Sequence, residues 1–210
     1  MTMTRDAGSF KRGGPRLRQA VALVICEDAR SSREYLIDAK AHFRAVAEIE
    51  VIHSGHTDPL GIVRTAISRS KKYDTVLCVI DRDTHDQRNF GQAQREAAAS
   101  GKVQVFTSYP CCEYWLLLHF QYVRAPYQQQ GKRSPADCAL RHLREQPEMA
   151  DYAKGSVKGL FDKLLPRLAA ACRHAERSMA DAEADAEKNP STSMHQVIAS
   201  FKRLGKPQPI

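Results

Sequence analysis

The sequence has no apolar run close to the roughly 20 residues that a membrane-crossing helix needs. Its longest candidates, Ala20 to Cys26 and Trp115 to Phe120, have the length of core elements, so no membrane association is expected. Met1 to Arg18 contains no apolar block followed by a small-residue cleavage site; a secretory signal is not expected, and the chain is read as cytoplasmic. Among the six cysteines (Cys26, Cys78, Cys111, Cys112, Cys138, Cys172) there is no C-x-x-C pair, which argues against a disulfide framework or a structural zinc site. Cys26 and Cys78 sit inside strand-like apolar runs, where a thiol behaves as a small hydrophobe. No internal repeat is present.

What is there has ordinary globular composition: 42% hydrophobic and 27% charged residues, with a mean hydropathy of -0.49. At 210 residues, against roughly 150 per domain, the chain suits one domain with an extension, or two small ones. Lys and Arg number 32 against 24 Asp and Glu, a net charge of +8 that favours polyanionic partners, nucleic acid first among them.

Residues 1–18 carry Arg5, Lys11, Arg12, Arg16 and Arg18 among glycines and a proline, without periodicity, and read as a flexible basic tail. Ala20 to Glu27 is a continuous apolar run ending in charge, as in a strand buried on both faces of a parallel sheet. Tyr35, Leu36, Ala39, Phe43 and Val46 fall at helical spacing, and Ile49 to Ser54 is a short second strand. Pro59 opens a helix carrying Leu60, Val63, Ala66 and Ile67 on one face and closing on Lys71 and Lys72. Thr75 to Asp81 is a third strand, Gln87 to Ser100 a helix closed by Gly101, and Val103 to Ser108 a fourth strand.

This alternation predicts an α/β fold with a mainly parallel four-stranded sheet flanked by helices. After Pro110 the pattern turns helical, at Cys112 to Tyr122, Pro135 to Arg144, Ala180 to Glu187 and Ser193 to Leu204. The expected organisation is a tail over 1–18, an α/β core over 19–124, and a mainly helical C-terminal extension over 125–210 packed on that core.

In a parallel sheet the loops leaving the carboxyl ends of strands form the binding crevice. Glu27, with Asp28 beside it, ends the first strand, and Asp81 and Asp83 end the third. Residues two apart in an extended segment point to the same side, so Asp81 and Asp83 can offer oxygens to one cation. Clustered carboxylates repel unless a cation neutralises them, a role for Mg²⁺ or Mn²⁺. The alternative is that these aspartates cap the next helix or solvate a turn. His85 could contact a phosphate or the metal, or be a turn residue. Arg82, Lys154, Lys158 and Arg167 form a candidate phosphate-contacting set.

Three further features read as structural. The apolar residues from Trp115 to Phe120, with His119, are read as core rather than as a base-stacking platform. Asn189 to Thr192 are read as capping chemistry for the last helix, with an anion site at that helix N-terminus as the alternative. Asp181, Glu183, Asp185 and Glu187 are read as a solvated helix face.

The segments VICED (Val24 to Asp28), VIDRD (Val79 to Asp83), SYPCCEYWLLLHF (Ser108 to Phe120) and NPST (Asn189 to Thr192) stand in the order found in the RloB family, which the chain resembles from about Ala20 to Ile198. Asp28 stands where that family has glycine, Tyr109 where asparagine is common, and Cys112 in place of an aromatic. The resemblance implies a Toprim-like domain and a Mg²⁺-dependent nuclease or related phosphoryl-transfer enzyme, of antiphage or abortive-infection defence, acting beside an ATPase partner on DNA or RNA. It implies Glu27 as general acid or base and, with Asp81 and Asp83, as a metal ligand. Glu113 either completes the metal site as a catalytic residue or is a buried hydrogen-bonding anchor under the sheet. The competing expectation is a non-catalytic nucleic-acid-binding or regulatory subunit, for which Asp28 and the basic tail speak.

Overall fold

The continuous apolar run after Ala20 becomes β2 (Ala22–Cys26), and every side chain in it is buried. In this computed structural model the residues described are 17–18, 20–27, 31–44, 49–53, 58–82, 87–154, 158–206 and 208–209. Strand β2 is hydrogen-bonded on one side to β3 (Ile49–His53) and on the other to β4 (Thr75–Asp81), parallel to both, with Ala22 opposite Ile49 and Thr75. Strand β5 (Val103–Tyr109) lies parallel to β4. A central parallel strand contacts helices on both faces, which is why β2 has no polar alternation.

The two-residue period of the strands divides the interior. Leu23 and Ile25 of β2, with Val76, Cys78 and Ile80 of β4, face α2 (Pro59–Arg69) and α3 (Gln87–Ser100) through Ile62, Val63, Ala66, Phe90, Ala93 and Ala97. Ala22, Val24, Cys26, Leu77 and Val79 face the other way, toward Tyr35, Leu36 and Ala39 of α1 (Ser31–His42). Local chemistry sets the helix ends, with Pro59 and Gly101 where the sequence predicts them and Asp58 as a cap it does not single out. Asp58 accepts from the Gly61 N–H at 2.8 Å with Pro59 at the first helical position. Gly101, at φ +68°, closes α3.

After β5 the chain is mainly helical, with α4 (Cys112–Leu117), α5 (Pro135–Arg144), α6 (Leu160–Leu164), α7 (Leu168–Ala184) and α8 (Met194–Leu204). Trp115, Leu117, Leu143, Phe161, Leu164, Ala171, Ile198 and Phe201 share one buried cluster with the second face of the sheet. These helices therefore pack on that face of the sheet.

Four local expectations are corrected. Helix α4 stops at Leu117 rather than Tyr122. Tight bonds from His119 N–H to Leu116 O (3.2 Å) and from Phe120 N–H to Leu117 O (2.9 Å) wind up its last turn. Beyond it, Tyr122 and Arg124 are drawn to Asp181 and Asp185 of the α7 end, so those two acids are partnered rather than a purely solvated face. Asn189 to Thr192 do not serve simply as a cap. Ser191–Thr192 form β6, antiparallel to β5, with Thr192 opposite Ser108. The Ser193 hydroxyl makes no capping bond to α8; it accepts from the Thr107 N–H of β5 at 2.8 Å. The unpaired edge of β5 claims these groups, and the sheet order becomes β3-β2-β4-β5-β6. Lastly, Leu17–Arg18, the end of the segment read as a tail, form β1 and pair antiparallel with β7 (Gln208–Pro209). Residues 1–16 lie outside the described residues.

Candidate active site

Glu27 directly follows β2, and its backbone N–H continues the ladder by donating to Val79 O at 3.0 Å. That bond places its side chain at the carboxyl end of the neighbouring β4. There Glu27 Oε2 accepts a hydrogen bond from the Asp81 backbone N–H at 3.0 Å. Asp81 is the last residue of β4, and its carboxylate accepts from the Cys112 backbone N–H at the start of α4. The Arg82 N–H bonds both Ser108 O (3.0 Å) and Pro110 O (3.1 Å), which ties the β5-to-α4 turn against the end of β4.

The same turn delivers Glu113, on the first turn of α4, to the back of this crevice. Glu113 is only 1% exposed. The Tyr152 hydroxyl donates to its Oε1 at 3.2 Å, and Lys154 Nζ pairs with that oxygen at 3.3 Å. Its other oxygen, Oε2, is buried and has no hydrogen-bond partner among the described residues. An unpartnered buried carboxylate oxygen is costly and calls for a reason.

The electrostatics show the crowding. Burial, followed by the negative charges of Glu113 and Glu27, holds the Asp81 carboxyl well above the usual carboxylate range, against the opposing Cys112 hydrogen bond and Lys154. The Cys111 thiol is pushed up by burial and by Glu113 and Asp81. Burial works to lower the Lys154 pKa, but Glu113 above all, with Cys111 and Asp81, raises it. Three carboxylates from the ends of β2 and β4 and the start of α4 thus form one acidic site with one ammonium against it.

The expected residues are distributed as follows. Glu27, Asp81 and Glu113 come together. Asp28, Asp83 and His85 lie outside the described residues. Arg82 is held by aromatic rings, its Nε donating to the Tyr109 hydroxyl at 3.2 Å and its guanidinium carbon 4.4 Å from the centre of the Phe90 ring. Lys154 belongs to the acidic site through Glu113. Lys158 is exposed and lines a separate hollow with Met149, Tyr152, Leu160 and Lys163. Arg167 pairs with Glu148 at 2.6 Å. Trp115, Leu116, Leu117, Leu118 and His119 are buried core, as the sequence predicts.

Tyr152 is absent from the expected set, because a tyrosine in a polar loop carries no local signal of a distant buried partner. Among the described residues no three His, Cys, Asp or Glu side chains are already arranged to hold a metal ion. The donors present are all carboxylate oxygens, the ligand type of hard divalent cations, and the unpartnered Glu113 oxygen fits such a guest.

The sheet and this crevice define a mainly parallel α/β protein with an acidic site at its strand ends. A model of the family described as RloB-like protein matches residues 22–201, and the chain belongs to that family. No curated protein and no solved structure matches the chain.

Proposed function

We propose that the protein is a Mg²⁺- or Mn²⁺-dependent nuclease acting in antiphage or abortive-infection defence in the cytoplasm. The observation that carries this reading is the convergence of Glu27 and Asp81 with a Glu113 carboxylate that is 1% exposed and keeps one oxygen unpartnered. A purely structural acid in the interior would have both oxygens satisfied. The defence setting and an ATPase partner rest on the family resemblance alone.

In this reading Asp81, with Asp83 following it, holds the ion, and Glu27 lies alongside. The bound ion supplies charge stabilisation at the non-bridging and leaving oxygens of a phosphodiester. Glu27, fixed by the Asp81 N–H, is oriented to take or give the proton at the attacking or leaving oxygen. Arg82, His85 and Lys158 offer cationic or hydrogen-bonding contacts to the flanking phosphates, while Lys154 is engaged by Glu113.

The test is incubation of the purified chain with panels of DNA and RNA in Mg²⁺ or Mn²⁺, with and without its ATPase partner, beside a Glu27→Gln control. Metal-dependent cleavage that disappears in the control is expected. Cleavage undiminished by Glu27→Gln, or no cleavage on any substrate, would overturn the reading.

A further inference from the structure

Glu113 Oε1 takes two donors from one short stretch of chain: the Tyr152 hydroxyl at 3.2 Å and Lys154 Nζ at 3.3 Å. The two ends of the ion pair differ sharply in exposure, for the Lys154 side chain is 44% exposed and that of Glu113 is 1%. Glu113 cannot leave, since it lies on a helix whose every residue is buried. Lys154 can: an ammonium on a flexible four-carbon stem, already half in water, swings away from the carboxylate and is rehydrated at little cost.

The charges explain why such a group is needed. The charges of Glu113 and Glu27 both bear on Asp81 and disfavour its ionised state. A tethered monovalent cation relieves that repulsion without occupying the second Glu113 oxygen, which stays without a partner. We propose that Lys154 is the resident counter-ion of this acidic site, holding the metal-free carboxylates together and competing with an incoming divalent ion for Glu113. This rests on reading the site as a metal site.

The competition has a sign that a phosphate-binding lysine does not share. Removing the Lys154 charge leaves the metal-free site more negative and less stable, and makes it a better host for a divalent ion. The full-length chain, stripped with EDTA, is to be compared as wild type, Lys154→Gln and Lys154→Arg, by thermal melting and by Mn²⁺ titration followed by calorimetry or electron paramagnetic resonance. Lys154→Gln is expected to melt lower in EDTA and to bind Mn²⁺ about fivefold more tightly, the effect of removing a partly exposed ion pair. Lys154→Arg is expected to match wild type in both readouts.

Equal or weaker Mn²⁺ binding by Lys154→Gln, or an unchanged melting temperature in EDTA, would overturn the counter-ion role while leaving the metal site intact. Absence of Mn²⁺ binding in wild type and variant alike would remove the metal site itself and the competition with it. Tighter Mn²⁺ binding in a protein that cleaves no nucleic acid would preserve the counter-ion role and discard the nuclease reading.

Discussion

The Glu27 carboxylate accepts the Asp81 backbone N–H at 3.0 Å, so the acid at the end of one strand is tied to the backbone of its neighbour. The consequence is an acid whose position does not depend on a bound ion. A parallel ladder with Cys26 opposite Val79 sets the two strand ends side by side, and the hydrogen bond adds the last increment of alignment.

Glu27→Gln keeps an oxygen that can accept the Asp81 N–H, so the melting temperature should match wild type. If Glu27 transfers the proton, cleavage should fall by roughly 10²-fold to 10⁴-fold, the range for a positioned acid or base. Glu27→Ala removes the acceptor as well and should also cost about 1 kcal/mol in urea denaturation. A Glu27→Gln enzyme that turns over normally would take Glu27 out of the chemistry.

Asp81, partly buried, faces the negative charges of Glu113 and Glu27. Neutralising it removes repulsion at the expense of the proposed site. Asp81→Asn in EDTA at neutral pH should therefore melt higher than wild type, since sites built for a ligand are kept at the expense of stability. Combined with Asp83→Asn it should abolish Mn²⁺ binding in calorimetry. Unchanged Mn²⁺ binding in that double variant would show that these aspartates do not hold the ion.

The sheet and its first helices are legible in the sequence because their signals are strong and local. Ala22–Cys26 is apolar throughout since both its faces are covered, and Pro59 marks a helix start within a few residues. Strand β6 is not legible: a pair of residues shows no period, and Ser191, Thr192 and Ser193 have side chains equally suited to a helix cap and a sheet edge. The end of α4 is overrun for a related reason, as the apolar Leu118 and Phe120 continue into a packed turn beyond the helix. Within the site, Glu27 and Asp81 announce themselves as charges ending apolar strands, whereas Glu113 stands out only through the family resemblance. Its pairing with Lys154 and Tyr152 joins a buried helix to a distant loop, and such pairings leave no mark in local sequence.

Arg5, Lys11 and Arg12 precede the first described strand and add to the net positive charge. Deleting residues 1–15 leaves the β1–β7 pairing of Leu17 with Pro209 in place. Nucleic-acid affinity should weaken, and the slope of log K against log salt should flatten by about 0.7 to 0.9 for each phosphate that the shortened chain no longer neutralises. The single-turnover rate on bound substrate should stay as it was. An unchanged slope in a fluorescence-anisotropy series would show that these residues do not touch the backbone of the nucleic acid.

His119 is 2% exposed, with Nε2 facing the Tyr35 hydroxyl at 3.4 Å and Nδ1 facing Trp115 O at 3.1 Å. Burial pushes the imidazole down to about 4, opposed by its hydrogen bonds to the Trp115 and Leu116 backbone carbonyls and aided by the charges of Arg167 and His174. A base whose pKa is depressed in the folded state binds its proton more readily when unfolded. Its contribution to stability is therefore complete above about pH 6.5 and is lost as the pH falls toward 4, on the order of 3 kcal/mol over that window. His119→Gln carries no such proton. Urea denaturation between about pH 7.5 and 4.5 should show wild type losing stability more steeply than His119→Gln, with the curves parallel above about pH 7. Parallel curves across the whole range would mean that His119 is already protonated in the fold or that its site admits water.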